Sequence, residues 1–162
     1  MEIPLFCIDL FGLHSGYIYY HFKYLFFLIA SPVGAYYSEG FNPVKIWVEE
    51  DYIRAAPGGL GAVKAGANYA ASLAASANAK KKGFAQVLWL DAIEKKYIEE
   101  VGTMNVFFRF KDEIVTPPLD GTILEGATRN CVLTILKSWG MPIVERTLTL
   151  HEVQEGYKSG TL

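Results

Sequence analysis

The sequence has few of the residues that build metal centres and disulfide-bonded scaffolds. Its 162 residues include only two cysteines, Cys7 and Cys131, and three histidines. The cysteines lie far apart and form no CxxC pair, so a disulfide framework is not expected, and no metal site is predicted. A low cysteine content without paired cysteines is typical of proteins in a reducing compartment, so the expected location is cytoplasmic.

Two further features are missing: an excess of charge of one sign and a long apolar run. The 15 basic and 17 acidic residues give a net charge of −2, so no nucleic-acid partner is expected. The most apolar stretch, Tyr17–Ala30, is broken by His21 and Lys23. It is shorter than the roughly 20 residues of a membrane-spanning helix, so a membrane segment is not expected. The start MEIPLFCIDL lacks the basic residues of a signal peptide.

What the sequence does contain is typical of one ordinary folded domain of the α+β class. Apolar residues make up 51% of the chain and aromatic residues 14%, enough to build a core. Helices are predicted at Ala65–Lys82, Thr128–Trp139 and from His151 to Lys158, the first because it is rich in alanine and ends in lysines followed by Gly83. Short apolar runs predict strands at Phe22–Ala30, Val44–Val48, Tyr52–Ala55, Phe84–Leu90, Asn105–Phe110, Glu113–Thr116 and Ile143–Leu150.

The chain has no P-loop, Rossmann fingerprint, GxSxG or HExxH motif, so its candidate chemistry lies at junctions between elements. At the first junction, Lys64 stands where the glycine-rich stretch Gly58–Gly61 enters a predicted helix. The positive end of a helix dipole disfavours an ammonium group, which suits a lysine that forms a Schiff base. An ordinary surface lysine beside a turn is the alternative that the residues alone leave open.

The second and third junctions are a pair of glutamates and a helix N-terminus. Glu100 is predicted to point inward while Glu99 faces water, and a buried carboxylate needs a partner such as a protonated heterocyclic nitrogen. The stretch Leu124–Arg129 precedes the second helix, where free backbone N–H groups and the Thr128 hydroxyl can form a phosphate seat. Each pattern alone also fits a solvated charge pair or a common helix cap.

Taken together and in order, these junctions resemble the branched-chain amino-acid aminotransferases, which are pyridoxal-phosphate (PLP) enzymes of fold type IV. The resemblance extends over roughly residues 31–158. The segments that carry it are SPVGAYYSEGFNPVKIWVEEDYIRA, GGLGAVKAGANYAASL, QVLWLDAIEKKYIEEVGTMN, TPPLDGTILEGATR and WGMPIVERTLTLHEV.

The resemblance implies a role for each site residue. Lys64 would be the catalytic lysine that forms the Schiff base with PLP and moves the substrate α-proton. Tyr69 would hydrogen-bond the phenolic oxygen of the cofactor, and Glu100 would pair with its pyridine nitrogen. The remaining residues would bind the cofactor phosphate and the substrate carboxylate: Arg54, Ala127 and Thr128 for the phosphate, and Thr103 for the carboxylate.

The resemblance also implies a fold, an activity and an assembly. Residues 35–162 would form a truncated PLP-binding large domain, an incomplete barrel-type sheet with flanking helices, and residues 1–34 a divergent interdomain or N-terminal strand region. The substrates would be amino acids and 2-oxo acids, with leucine, isoleucine or valine donating to 2-oxoglutarate, and the assembly would be a homodimer. Because the chain is much shorter than a complete family member, little activity is expected of it alone.

The sequence departs from the family at Gly66-Ala67, where a second glycine is usual, and at Glu125, where proline is usual. Two alternatives therefore stay open. One is a catalytically inactive fragment that acts at most as a binding module. The other is a different fold-type-IV enzyme, a D-amino-acid aminotransferase or an aminodeoxychorismate lyase, although the segments SPVGAYY and EVGTMN favour the branched-chain enzymes.

Overall fold

The computed structural model describes residues 13–14, 17–18, 30–32 and 42–162. The chain forms two compact units, residues 1–42 and 43–162. In the first unit, β1 (Leu13–His14) pairs antiparallel with β2 (Tyr17–Ile18). Most of the strand predicted at Phe22–Ala30, residues 22–29, lies outside the described residues.

The second unit contains a three-stranded sheet in the order β3-β4-β5. Its strands are β3 (Ile46–Val48), β4 (Gln86–Leu90) and β5 (Ile98–Val101). Strands β3 and β4 run parallel, so they need a crossover, and the alanine-rich helix α1 (Gly66–Lys81) supplies it. The small side chains of Ala75 and Ala79 let α1 pack closely on Val87 and Trp89 of β4.

A second three-stranded sheet repeats this arrangement in the order β6-β7-β8. It consists of β6 (Phe108–Arg109), β7 (Ile114–Thr116) and β8 (Ile143–Glu145), and helix α2 (Ala127–Ser138) connects the parallel pair β7 and β8. The last helix, α3 (Leu150–Ser159), begins at Thr149, whose hydroxyl accepts from Glu152 N at 3.0 Å.

The main core links the two sheets. Its fully buried members come from β4, β5, β7 and the segment before α3: Leu88, Leu90, Ile98, Val115 and Leu148. This core includes Ile98 of β5, and β5 is the strand that carries both Glu99 and Glu100. Among the described residues, no helix has the length and apolarity needed to cross a membrane.

Two strand predictions and one strand without a prediction show where the local pattern fails. Tyr52–Ala55 is irregular, because the carboxylate of Glu49 accepts from Asp51 N and Tyr52 N at 2.9 and 3.1 Å and turns the chain. The strand predicted at Ile143–Leu150 stops at Glu145, since Thr149 caps α3. Strand β5 itself was not predicted, because its two adjacent glutamates break the apolar pattern of a buried strand.

Candidate functional site

The glycine-rich stretch forms tight turns that lead directly to Lys64. Gly59 N donates to Ala56 O and Val63 N to Leu60 O, each at 3.0 Å. From the first turn of α1, the Asn68 side chain donates to Leu60 O at 2.7 Å and to Val63 O at 2.9 Å, which ties the loop to the helix. Lys64 lies just before the N-cap residue Ala65, and its side chain is exposed. The predicted junction of loop and helix is therefore present.

Gly61 is the one position in this loop where the backbone of another segment comes too close for a side chain. A Cβ on Gly61 would lie 2.7 Å from Ala55 Cβ and closer still to the carbonyl oxygen of Thr122. Glycine here lets the loop of residues 58–64, called the lysine loop below, pack directly on the segment before α2.

Glu100 is buried and held from three directions. Its Oε2 lies 3.2 Å from Arg54 Nε, and its Oε1 accepts from Leu124 N at 3.2 Å and from Asn105 Nδ2 at 3.3 Å. Arg54 is buried as well and donates through Nη2 to Thr122 O. Burial raises the pKa of Glu100 by more than the Arg54 charge and the Leu124 N–H lower it. The site thus contains a buried ion pair.

Four predicted site residues line one small pocket: Arg54, Tyr69, Thr103 and Glu100. Its other walls come from the lysine loop, α1, β5 and the segment before α2: Gly61, Val63, Asn68, Ser72, Gly102 and Leu124. The space open to water is about 20 Å³, room for one water molecule. The structure therefore brings a carboxylate, a guanidinium, a phenol and a hydroxyl together around one small pocket.

Three predicted residues do not line this pocket. Lys64 follows Val63, which does, but its own side chain is exposed. Ala127 and Thr128 form the exposed first turn of α2, and the N-cap Gly126 offers no side chain to the N–H groups there. A helix N-terminus of this kind is suited to an anion.

The prediction for Glu99 is wrong. It does not face water but is 6% exposed, because the segment 117–123 covers the other side of β5. Its Oε1 accepts from Thr122 Oγ1 at 2.6 Å, and its Oε2 has no hydrogen-bond partner. Burial raises the pKa of Glu99 by more than the Thr122 hydroxyl and the Arg54 charge lower it. Glu99 lines a separate cavity of about 230 Å³, with Asp91 and Asp120.

Sequence analysis missed two residues that organise the site. Asn105 bridges Glu100 Oε1 and Leu124 O, the latter at 2.9 Å, and Thr122 connects Arg54 with Glu99. The contacts of Thr122 with Arg54 and Glu99, and that of Asn105 with Leu124, join separate segments of the chain, so no local pattern indicates them.

Asp91 was missed as well, although an aspartate in a polar stretch between two strands does carry a local signal of a turn. Its carboxylate accepts from four backbone N–H groups, those of Ile93, Glu94, Lys96 and Tyr97, at 2.7 to 3.1 Å. Burial acts to raise the pKa of Asp91, but these four donors together lower it. Asp91 thereby shapes the turn that leads into β5.

Across the part of the chain that the structure describes, no group of three or more histidine, cysteine, aspartate or glutamate side chains could hold a metal ion. Cys131 is a free, exposed thiol on α2.

Comparison with known proteins places this geometry in a family. The profile of the family described as amino-transferase class IV matches residues 21–159. The branched-chain-amino-acid aminotransferase 2 of Bacillus subtilis is 56% identical over 139 residues, which cover 86% of this chain and 38% of that protein. With a second relative matched over 40% of its length, the chain spans about two fifths of the curated relatives it matches.

Solved structures of aminotransferases are similar to this chain as well. A branched-chain amino acid aminotransferase from Escherichia coli superposes with a TM-score of 0.69 at 31% identity, covering 76% of this chain and 40% of that one. The PLP-form of the branched-chain amino acid aminotransferase from Thermobaculum terrenum gives a TM-score of 0.61 at 28% identity, covering 67% and 35%. The fold is therefore that of the fold-type-IV aminotransferases, in part.

Proposed function

Since the chain belongs to the amino-transferase class IV family, we propose that it supplies the cofactor-binding centre of a branched-chain amino-acid aminotransferase. The proposed reaction moves an amino group between leucine, isoleucine or valine and 2-oxoglutarate. One observation carries the proposal: the buried Glu100, paired with Arg54, shares a pocket with Tyr69 and Thr103 beside the lysine loop.

The residues of this pocket fit PLP by their chemistry. Glu100 is a buried carboxylate that can accept from a protonated ring nitrogen, and Tyr69 has a phenol that can donate to the oxygen on the ring. When bound, PLP supplies an electron sink for the carbanion left when a substrate loses its α-proton.

Lys64 is the proposed covalent anchor and proton carrier. Its amine lies at the exposed end of the lysine loop, next to the pocket wall formed by Val63. Asn68 holds the carbonyl groups of Leu60 and Val63, so the backbone that leads to the lysine is tied to α1. Thr103, on the pocket wall, is the proposed contact for the substrate carboxylate.

We propose that Ala127 and Thr128 bind the cofactor phosphate through the N-terminus of α2, where the N-cap has no side chain to compete. Arg54 remains a proposed cofactor-binding residue. Since its guanidinium already contacts Glu100 and Thr122 O, its charge acts first on the carboxylate that faces the ring.

The same proposal covers the domain bounds, the oligomeric state and the location of the protein. Residues 35–162 are taken as part of the PLP-binding domain and residues 1–34 as the region that precedes it. A homodimer in the cytoplasm is the proposed form of the protein.

Trapping the lysine tests the proposal without relying on turnover. PLP is added to the chain, the product is reduced with borohydride, and the labelled peptide is mapped in wild type, Lys64→Ala and Lys80→Ala. We expect the label on Lys64, lost in Lys64→Ala and kept in Lys80→Ala, which removes an exposed lysine of α1. Label on Lys80–Lys82 in place of Lys64 would refute the assignment. Amino transfer from D-alanine but not from leucine would indicate a D-amino-acid aminotransferase.

A further inference from the structure

Thr122 contacts both halves of the proposed cofactor pocket through a single carbonyl group. That oxygen accepts from Arg54 Nη2, and it is the nearest atom to the position that a Cβ on Gly61 would take. Arg54 is the ion-pair partner of Glu100, and Gly61 belongs to the turn that leads to Lys64. The position of this carbonyl therefore affects both the ion pair of Arg54 with Glu100 and the packing of the lysine loop.

The side chain of Thr122 is fixed from the other face of β5. Its Oγ1 donates to Glu99 Oε1 at 2.6 Å and lies 3.0 Å from Asp120 Oδ1. A hydroxyl has one proton, and 2.6 Å is the length of a charge-assisted bond to a carboxylate, so Glu99 is the main acceptor. Thr122 and Glu99 are 4% and 6% exposed, and both lie in the wall of the cavity of about 230 Å³.

We propose that Glu99 is a positioning residue of the cofactor site: by holding the Thr122 hydroxyl, it fixes the carbonyl that keeps Arg54 against Glu100 and packs on Gly61. This inference rests on the proposed function, because it gives Glu99 a task only if Glu100 faces the cofactor ring. Glu99 itself touches neither ring nor substrate in this proposal.

The hydrogen bonding of Glu99 supports this role. Among the described residues its carboxylate accepts from the Thr122 hydroxyl, so the Glu99 and Thr122 side chains hold each other in place. The charged groups that act on Glu99 are Arg54, Asp120 and Asp91, while Arg54 is the charged group that acts on Glu100.

Removing the Thr122 hydroxyl tests the proposal directly. Thr122→Val keeps the shape and the Glu99 charge but removes the hydrogen bond, and Thr122→Ser keeps the hydroxyl. Thr134→Val is the matched control, because Thr134 is exposed on α2 and its hydroxyl bonds only within the helix, to Asn130 O. The pKa of Glu100 is measured in the cofactor-free chain by carbon NMR of its carboxyl group, and PLP affinity by absorbance titration.

We expect Thr122→Val to raise the pKa of Glu100, since a loosened Arg54 stabilises the carboxylate less. PLP affinity should fall about 3- to 10-fold, the effect of one weakened hydrogen bond. Thr122→Ser and Thr134→Val should leave both quantities near wild type. If Thr122→Val does not fold, Thr122→Ala removes the same hydroxyl without placing a methyl group against the carboxylate.

A lower melting temperature with an unchanged Glu100 pKa in Thr122→Val, or in Thr122→Ala, would show a structural role only and overturn the inference. Failure of the proposed function would give a different result from failure of this inference. Wild type would then bind no PLP at Lys64, while the titration of Glu100 in the cofactor-free chain would still report whether Thr122 controls it.

Discussion

The two faces of β5 carry neighbouring glutamates in contrasting surroundings. On one face, Glu100 has an arginine ion pair, a backbone N–H and a side-chain amide, and it lines the pocket beside the lysine loop. On the other face, Glu99 has one hydroxyl partner and lines a larger cavity that contains none of the predicted site residues. The larger cavity is thus not the one where the candidate chemistry lies.

The difference shows that burial alone does not identify the functional carboxylate. Both glutamates are buried, and burial raises both pKa values. The two glutamates differ in their neighbours, because only Glu100 lines a pocket together with Tyr69 and Thr103. Successive side chains of a strand point to opposite faces, so a shift of one residue in β5 would exchange their roles.

The largest effect is expected from neutralising one glutamate at a time. Glu100→Gln should weaken PLP binding about 10²-fold, because an amide replaces a carboxylate in a buried charge-assisted contact. Glu99→Gln keeps an oxygen acceptor for Thr122 and should cost less than about tenfold. Absorbance titrations of the two variants with PLP measure the contrast. Equal losses of PLP affinity in the two variants would contradict the distinction between the two faces of β5.

A side chain at Gly61 should disturb the packing of the lysine loop on Thr122. Gly61→Ala places a methyl group against Thr122 O and Ala55 Cβ, and the resulting strain should lower the free energy of unfolding by about 1–3 kcal/mol. Gly66→Ala is the control at the start of α1, where a Cβ meets nothing within 4 Å and alanine should stabilise by about 0.4–1 kcal/mol. Urea unfolding measures both changes. Similar stabilities for the two variants would show that the close packing on Thr122 is absent.

The smallest effect is the dependence of stability on pH. For Glu99 and Glu100, burial raises the pKa above the ordinary 4.5, so their contribution to stability is full below 4.5 and is lost as pH rises through the raised values. Asp91 has the opposite sign, since its pKa is lowered from 3.8 and its contribution is lost as pH falls. Glu99→Gln should flatten the decline above pH 4.5 in urea midpoints. Parallel curves for variant and wild type would contradict the buried state of Glu99.

The sequence predicts much of the fold and the composition of the pocket, and it fails where contacts are non-local. Helix α1 follows from its alanines, and Tyr69, Thr103 and Glu100 do meet in one pocket, as the family resemblance implies. The burial of Glu99 was not predictable, because it depends on a segment more than fifteen residues further along the chain folding over β5. The helix predicted at Thr128–Trp139 shows the same limit, since it ends at Ser138 and Trp139 is 71% exposed.

The central claim is that Glu100, and not Glu99, faces the ring nitrogen of bound PLP. Nitrogen NMR of PLP labelled with ¹⁵N at the ring tests it, because the chemical shift distinguishes a protonated from a neutral ring. We predict a protonated ring nitrogen in wild type and in Glu99→Gln, and a neutral one in Glu100→Gln. A ring nitrogen that stays protonated in Glu100→Gln, or loses its proton only in Glu99→Gln, would contradict the account.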